Sequence, residues 1–257
     1  MILSFCNVKG GVGKTTSAVS LAAAFAHADL RVLLVDLDPQ GSASRSLGVA
    51  KDDLKPSAAA ALVGGRSVQE VLVDTGLRGL DLVTGATDLT AVEVSLARKK
   101  NPEKLLARAL SPLRRRYDFI LLDCPPGLGL LTLNALAACH GYVLPVVPHD
   151  LAVEGLDRFF AGLEEIQPTL RKRPELLGIL LTMVDQRTKV TAELVKKVRR
   201  KYPGQVFRTT IPVNIRLALA PRHGMTIFEF ERWSTGAQAY SRLGAEVIRT
   251  LRNGGKV

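Results

Sequence analysis

Eight residues, Lys9-Gly10-Gly11-Val12-Gly13-Lys14-Thr15-Thr16, constrain this chain more than any other stretch. They follow an apolar run, Met1 to Val8, with the length and composition of a buried strand, and precede an Ala-rich segment, Ser17 to Ala28, that reads as a helix. Strand, glycine loop and helix start together make a phosphate cradle. Glycines let the backbone turn so that successive N–H groups point inward, and the helix N-terminus adds partial positive charge, so a polyphosphate is bound mainly by main chain. In such a loop Lys14 reaches the β/γ-phosphates and the Thr15 hydroxyl a magnesium ion, while Gly10 to Gly13 and Thr16 complete the cradle. The standard pattern asks for Gly seven residues before the Thr, and that position is Val8; an extra lysine, Lys9, stands directly ahead of the glycine pair instead.

With its leading lysine, KGGVGKTT resembles the deviant Walker A box of the ParA/MinD group of ATPases, nearest to ParA-type, Soj-like DNA partition proteins. The resemblance implies ATP and Mg2+ as cofactors, and an ATP-bound homodimer in which Lys9 of each subunit reaches the phosphates held by the other.

The fold expected is α/β: a single domain over residues 1–257 with a mainly parallel, doubly wound sheet and helices on both faces, the P-loop NTPase architecture. A 47% hydrophobic content is ample for its core. No stretch approaches the roughly 20 apolar residues of a membrane span, and no basic region precedes the first strand, so a cytoplasmic protein without stable membrane association is expected. Cys6, Cys124 and Cys139 fit neither a disulfide framework nor a CxxC metal site and read as small apolar packers.

Further along, Arg31 to Asp36 is a short β-branched run ending in acid, followed by Leu37-Asp38-Pro39-Gln40-Gly41. A carboxylate just past a strand end beside a magnesium nucleotide holds the metal shell or positions a water. DLDPQG resembles the family's switch I segment, which implies a role in hydrolysis for Asp38; Asp36 reads equally well as the residue that fixes the loop. Residues 42–75 are poorly patterned and suggest short surface helices. Leu80 to Thr84 is a candidate strand, and Asn101-Pro102-Glu103 offers a helix cap. Tyr117 to Asp123 is a second apolar run ending in acid, which delivers Asp123 to the magnesium as a Walker B acid, and Cys124-Pro125-Pro126-Gly127 after it resembles the family's switch II. Gly141 to Val147 and Leu176 to Val184 are further strands, with a helix from Leu151 to Ile166 between them; His149 and Asp150 find no match in the family and read as loop. Thr182-Met183-Val184-Asp185-Gln186-Arg187-Thr188 is similar to an element that lies beside the adenine in relatives, which implies a base contact for Met183. Thr210 to Arg216 resembles a segment that closes over the base, implying the same for Pro212, although Val213 stands where the family commonly has Arg.

The net charge of +11 is uneven. Residues 1–150 carry 16 basic and 14 acidic side chains, whereas 151–257 carry 19 and 10. Gln186 to Arg222 alone holds ten bases and one acid, Glu193. From Val190 to Lys201, Val190, Leu194, Val195 and Val198 recur at helical spacing, with Lys196, Lys197, Arg199, Arg200 and Lys201 on the remaining face. Arg208 and Arg216 extend the same sign. Without aromatic residues interleaved, this points to phosphate contacts with non-specific double-stranded DNA.

Two functions of different kinds share the ATP site. One is an ATPase switch for chromosome or plasmid partition, nucleoid-associated, releasing DNA when a ParB-type adaptor, implied by the resemblance, stimulates slow hydrolysis. The other is a MinD-like, membrane-associated division-positioning ATPase, which needs a bulky amphipathic C-terminal helix; the final helix read here, Ser241 to Leu251, supplies Ile248 and Leu251, then two glycines. An amidoligase or nitrogenase-type reductase would need a second substrate motif or cluster ligands, and the sequence carries neither.

Overall fold

A computed structural model describes residues 1–170, 172–185 and 187–253. Gln186 and the tail Gly254-Gly255-Lys256-Val257, which entered the expectations above, lie outside the described residues. Seven strands, β1 (Ile2–Phe5), β2 (Val32–Asp36), β3 (Leu72–Asp74), β4 (Leu80–Val83), β5 (Phe119–Asp123), β6 (Gly141–Val146) and β7 (Glu175–Leu181), form one sheet in the order β3-β4-β2-β5-β1-β6-β7. Every neighbouring pair is parallel except β3 against β4. Strands β1, β2, β5 and β6 are buried throughout, which is why they read as continuous apolar runs with no alternation.

Eleven helices are described: α1 (Lys14–Ala26), α2 (Ser42–Ser46), α3 (Ala58–Leu62), α4 (Asp88–Ala97), α5 (Leu105–Leu110), α6 (Leu130–Ala138), α7 (Ala152–Ile166), α8 (Lys189–Lys201), α9 (Ile215–Leu219), α10 (Ile227–Glu231) and α11 (Thr235–Asn253). They cover both faces, as the period of two along a strand demands. Val32 and Leu34 join Leu21 and Phe25 of α1 and Tyr240, Leu243 and Val247 of α11 in one core. Leu33 and Val35 join Leu106, Leu131, Leu156 and Phe159 from α5, α6 and α7 in the other. The doubly wound expectation holds. The chain leaves central β1 toward β2 and β4 on one side and later builds β6 and β7 on the other, so a crevice opens at β1's carboxyl end. The glycine loop occupies that end.

Four local expectations change. Residues 42–75 do form short helices, but Ala58, Ala59, Leu62, Val68 and Val71 are buried, and the segment ends in an edge strand, β3, that no alternation announced. Asn101 does stand at an N-cap with Pro102 after it, but of a 3-10 turn (Pro102–Lys104): its φ is +53°, its side chain makes no capping bond and accepts instead from the Lys104 ammonium, and α5 begins at Leu105. The long strand stops at Leu181, leaving Thr182 to Asp185 as loop. The last helix starts at Thr235, well before the expected Ser241, because Ala237, Ala239 and Tyr240 already face the core. The three cysteines are free, Cys6 and Cys124 buried and Cys139 half-buried, as expected of packing residues. Among the described residues no helix is long and apolar enough to cross a membrane.

Candidate nucleotide site

Two glycines in the loop take positive φ, Gly11 at +71° and Gly13 at +87°, and a Cβ at either is strained whatever the space around it. Gly13 is also the N-cap of α1, with no side chain capping the helix. The first N–H groups of α1 therefore have no intrahelical acceptor and no cap, which is the condition for an anion site. The loop is held from behind, because Thr182 Oγ1 donates to the Val12 carbonyl at 2.9 Å and Val12's side chain is buried. Ser17 and Tyr240 meet hydroxyl to hydroxyl at 3.0 Å, tying α1 to α11.

Lys14 lies at 7% exposure and its ammonium donates to the Lys9 carbonyl at 3.1 Å. Burial lowers its pKa, and the Asp123 carboxylate works against that shift. Asp123 ends β5 in register with both Phe5 of β1 and Asp36 of β2. It is wholly buried, and neither carboxyl oxygen has a hydrogen-bond partner. Burial drives its carboxyl well above the ordinary range; the Asp36 charge reinforces this, Thr15's hydroxyl opposes it, Asp38 adds to it and Lys14 opposes it. A buried acid whose neighbouring donor is a threonine hydroxyl at a phosphate loop is the oxygen set that a hard divalent cation takes, so these residues fit a magnesium ion.

Asp36 has the other fate. It is fully buried, and its carboxylate accepts from Ser44 N–H at 2.9 Å, Ser44 Oγ at 2.8 Å and Asp38 N–H at 3.1 Å. Burial nevertheless pushes its pKa up to about 6. Of the two readings offered for Asp36, the structure selects the one that fixes the loop. Asp38 is half-buried beyond it, with Oδ1 accepting from Gln40 N–H at 2.9 Å.

Beside Gly13 and Thr16 opens a cleft of about 450 Å3, and Met183, Pro212, Val213 and Ile215 line it. Met183 holds φ +51° and is 46% exposed where it lines the cleft. A parallel bridge between Val184 and Pro212 brings the two segments singled out in the sequence to one place. The volume and apolar lining suit a planar base. Lys9, in contrast, stands at the exposed rim with its Nζ 2.8 Å from His149 Nε2. Neither His149 nor Thr182 was given a role in the sequence, because each meets the loop across about 140 to 170 residues.

The basic residues are less uniform than their spacing suggested. On α8 only Val198 is buried, Leu194 and Val195 are half-buried, and Val190 is 64% exposed, so the apolar stripe is narrower than expected. Lys196, Lys197 and Arg200 are exposed and form no ion pair among the described residues. Arg199 turns inward, its Nη2 donating to the carbonyls of Phe207 and Arg208 at 2.9 and 3.2 Å. Lys201 lies 3.9 Å from Asp157 of α7, and Arg187 pairs with Asp185 at 3.0 Å. The stretch itself holds one acid, Glu193, but Asp157 of α7 and Asp185 supply two partners from outside it. The main-chain N–H of Arg208 is fixed by Glu246 of α11 at 2.7 Å, while Arg216 sits on α9 near the base cleft.

Among families of known proteins, one described as "AAA domain" matches residues 1–176. The chain is 42% identical to the chromosome partitioning protein ParA of Myxococcus xanthus over 96% of its own length and 88% of that protein. It is 39% identical to the sporulation initiation inhibitor protein Soj of Bacillus subtilis over 96% and 97%. Among solved structures it is similar to cobyrinic acid a,c-diamide synthase from Mycobacterium smegmatis with bound ADP and magnesium, with a TM-score of 0.86, 34% identity and 100% and 97% coverage. The septum site-determining protein MinD of Pyrococcus horikoshii, at a TM-score of 0.77 and 24% identity, shares the fold.

Proposed function

The chain belongs to the family of the ParA and Soj partitioning proteins, and from that premise we propose that it is an ATP-hydrolysing partition switch whose ATP-bound homodimer binds DNA without sequence preference. The observation that carries the nucleotide chemistry is Asp123, a buried acid with no donor, in register with the strand that feeds the phosphate loop. Thr15 and Asp123 would hold a magnesium ion, with Asp38 at the edge of its shell. When bound, that ion neutralises charge on the β- and γ-phosphates. Lys14 and the N–H groups of the loop bind and orient the triphosphate, and Met183 and Pro212 flank the base. Asp38, on a loop hung from Asp36, orients the attacking water. No arginine or histidine lies among these residues to speed the reaction, which supports slow turnover until an adaptor of the ParB type intervenes.

The gate follows from doubling. Each subunit offers Lys196, Lys197, Arg200, Arg208 and Arg216 to phosphates, and joining two subunits through ATP, with Lys9 crossing to the partner's phosphates, doubles the contacts on one duplex. Phosphate contacts add while non-specific affinity falls steeply with salt, so a dimer binds where a monomer does not. Nucleoid association and release on hydrolysis are the consequence.

Gel shifts with unrelated duplexes test the reading: binding should need ATP and Mg2+, should vanish in Lys14→Ala, and should be lost by about 0.5 M salt. Binding indifferent to nucleotide, or surviving molar salt, overturns it. Asp38→Ala should leave a long-lived ATP dimer still on DNA, and loss of the dimer in that variant removes Asp38 from hydrolysis.

A further inference from the structure

We propose that His149 is a positioning residue for Lys9, holding the lysine's ammonium within its own subunit in competition with the phosphates of the second. The inference rests on the ATP-dimer reading above and adds to it a residue that sets how readily Lys9 is released.

The base of Lys9 is fixed. Its N–H donates to Asn7 Oδ1 at 3.0 Å, Asn7 Nδ2 donates to the Pro145 carbonyl of β6 at 2.8 Å, and the Lys9 carbonyl takes the Lys14 ammonium. His149 lies four residues beyond Pro145, its own carbonyl accepting from Ala152 N–H at 2.9 Å at the start of α7. Strand β6 therefore anchors both partners, and only the Lys9 side chain is left to swing. Its Nζ lies 2.8 Å from His149 Nε2.

The ring is over-subscribed. An ammonium has donors only, so Nε2 has to accept; yet Nδ1 faces the Leu151 N–H at 3.1 Å, a second donor. A neutral imidazole has one lone-pair nitrogen. One of the two bonds is always unmade, so the hold on Lys9 is weaker than an ordinary charge-assisted hydrogen bond. A protonated ring accepts from neither and meets the ammonium as a like charge. Glu154 and Arg158 of α7 line the same cleft of about 260 Å3, and Asp150 adjoins in the chain; these are the other ionisable groups around the pair.

Two measurements on the full chain decide the matter. Without nucleotide, the ring-nitrogen NMR of His149 at pH 8 should show a population protonated at Nδ1, and Lys9→Met should shift it toward Nε2; identical spectra overturn the contact. With a non-hydrolysable ATP analogue and Mg2+, analytical ultracentrifugation should show His149→Ala dimerising at about three- to ten-fold lower concentration than the wild type at pH 8. His149→Gln, which can still accept from the ammonium, should stay near the wild-type midpoint. An Ala variant keeping the wild-type midpoint overturns the proposal. If no variant dimerises, the wild type included, the dimer reading and the competition resting on it both fall, and the NMR arm still decides the contact.

Discussion

Replacing Asp123 by Asn tests whether a cation belongs against that strand end. In the wild type both carboxyl oxygens are buried without a donor, and the folded pKa lies well above that of an unfolded aspartate. The sign follows from linkage. A carboxyl with a raised folded pKa adds stability that is fully present below the unfolded value, near 3.9, and is lost as pH rises toward the folded one. The loss runs at up to about 1.4 kcal/mol per pH unit between the two values. Asn fills the same volume with no charge to ionise. At about 2 kcal/mol, and with about 2–4 °C per kcal/mol for a chain of this size, Asp123→Asn should melt about 4–8 °C above the wild type at pH 8. The gap should shrink toward pH 5. The assay is circular dichroism melting in EDTA from pH 5 to pH 8, repeated with ADP and with or without Mg2+. Magnesium should add stability to ADP-loaded wild type and none to the variant. A variant that melts below the wild type at pH 8, or a gap that ignores pH, refutes the argument.

Ser44 is the donor that keeps Asp36 in place, with Oγ giving to Asp36 at 2.8 Å and accepting from Gly85 N–H at 3.0 Å. Ser44→Ala should therefore cost about 1–3 kcal/mol in urea unfolding and slow ATP turnover with little change in nucleotide affinity. On α8, Lys196→Ala with Lys197→Ala removes four phosphate contacts per dimer, so the slope of log K against log salt for DNA should flatten by about 3.6. Arg199→Ala should act differently, lowering the melting temperature through the lost hold on residues 207 and 208 while changing that slope less than either lysine. Equal slope changes for all three would place Arg199 on the DNA and break the distinction drawn from its hydrogen bonds.

The features legible in the sequence are those that local physics dictates. Two apolar runs ending in Asp36 and Asp123 announced parallel strands buried on both faces, and the glycine loop between strand and helix announced an anion site. Their convergence at one sheet edge follows from right-handed crossovers alone. Illegible were the features carried by pairs distant in the chain. Thr182 steadying Val12, His149 holding Lys9, and Asp157 meeting Lys201 each join segments that no window of periodicity spans.

Charge shows why such pairs matter to function. Counted along the chain, Gln186 to Arg222 offers ten cations against one acid. Counted in space, Arg187 has Asp185, Lys201 has Asp157, and Arg199 has spent a nitrogen on two carbonyls. A cation already satisfied by protein releases little when a phosphate replaces its partner, whereas a hydrated one displaces a condensed counterion from DNA at no cost to the fold. The salt slope thus counts free cations, and a slope no steeper than that of the seven left over per subunit, against one near ten, separates the surface of the folded chain from the composition of its sequence.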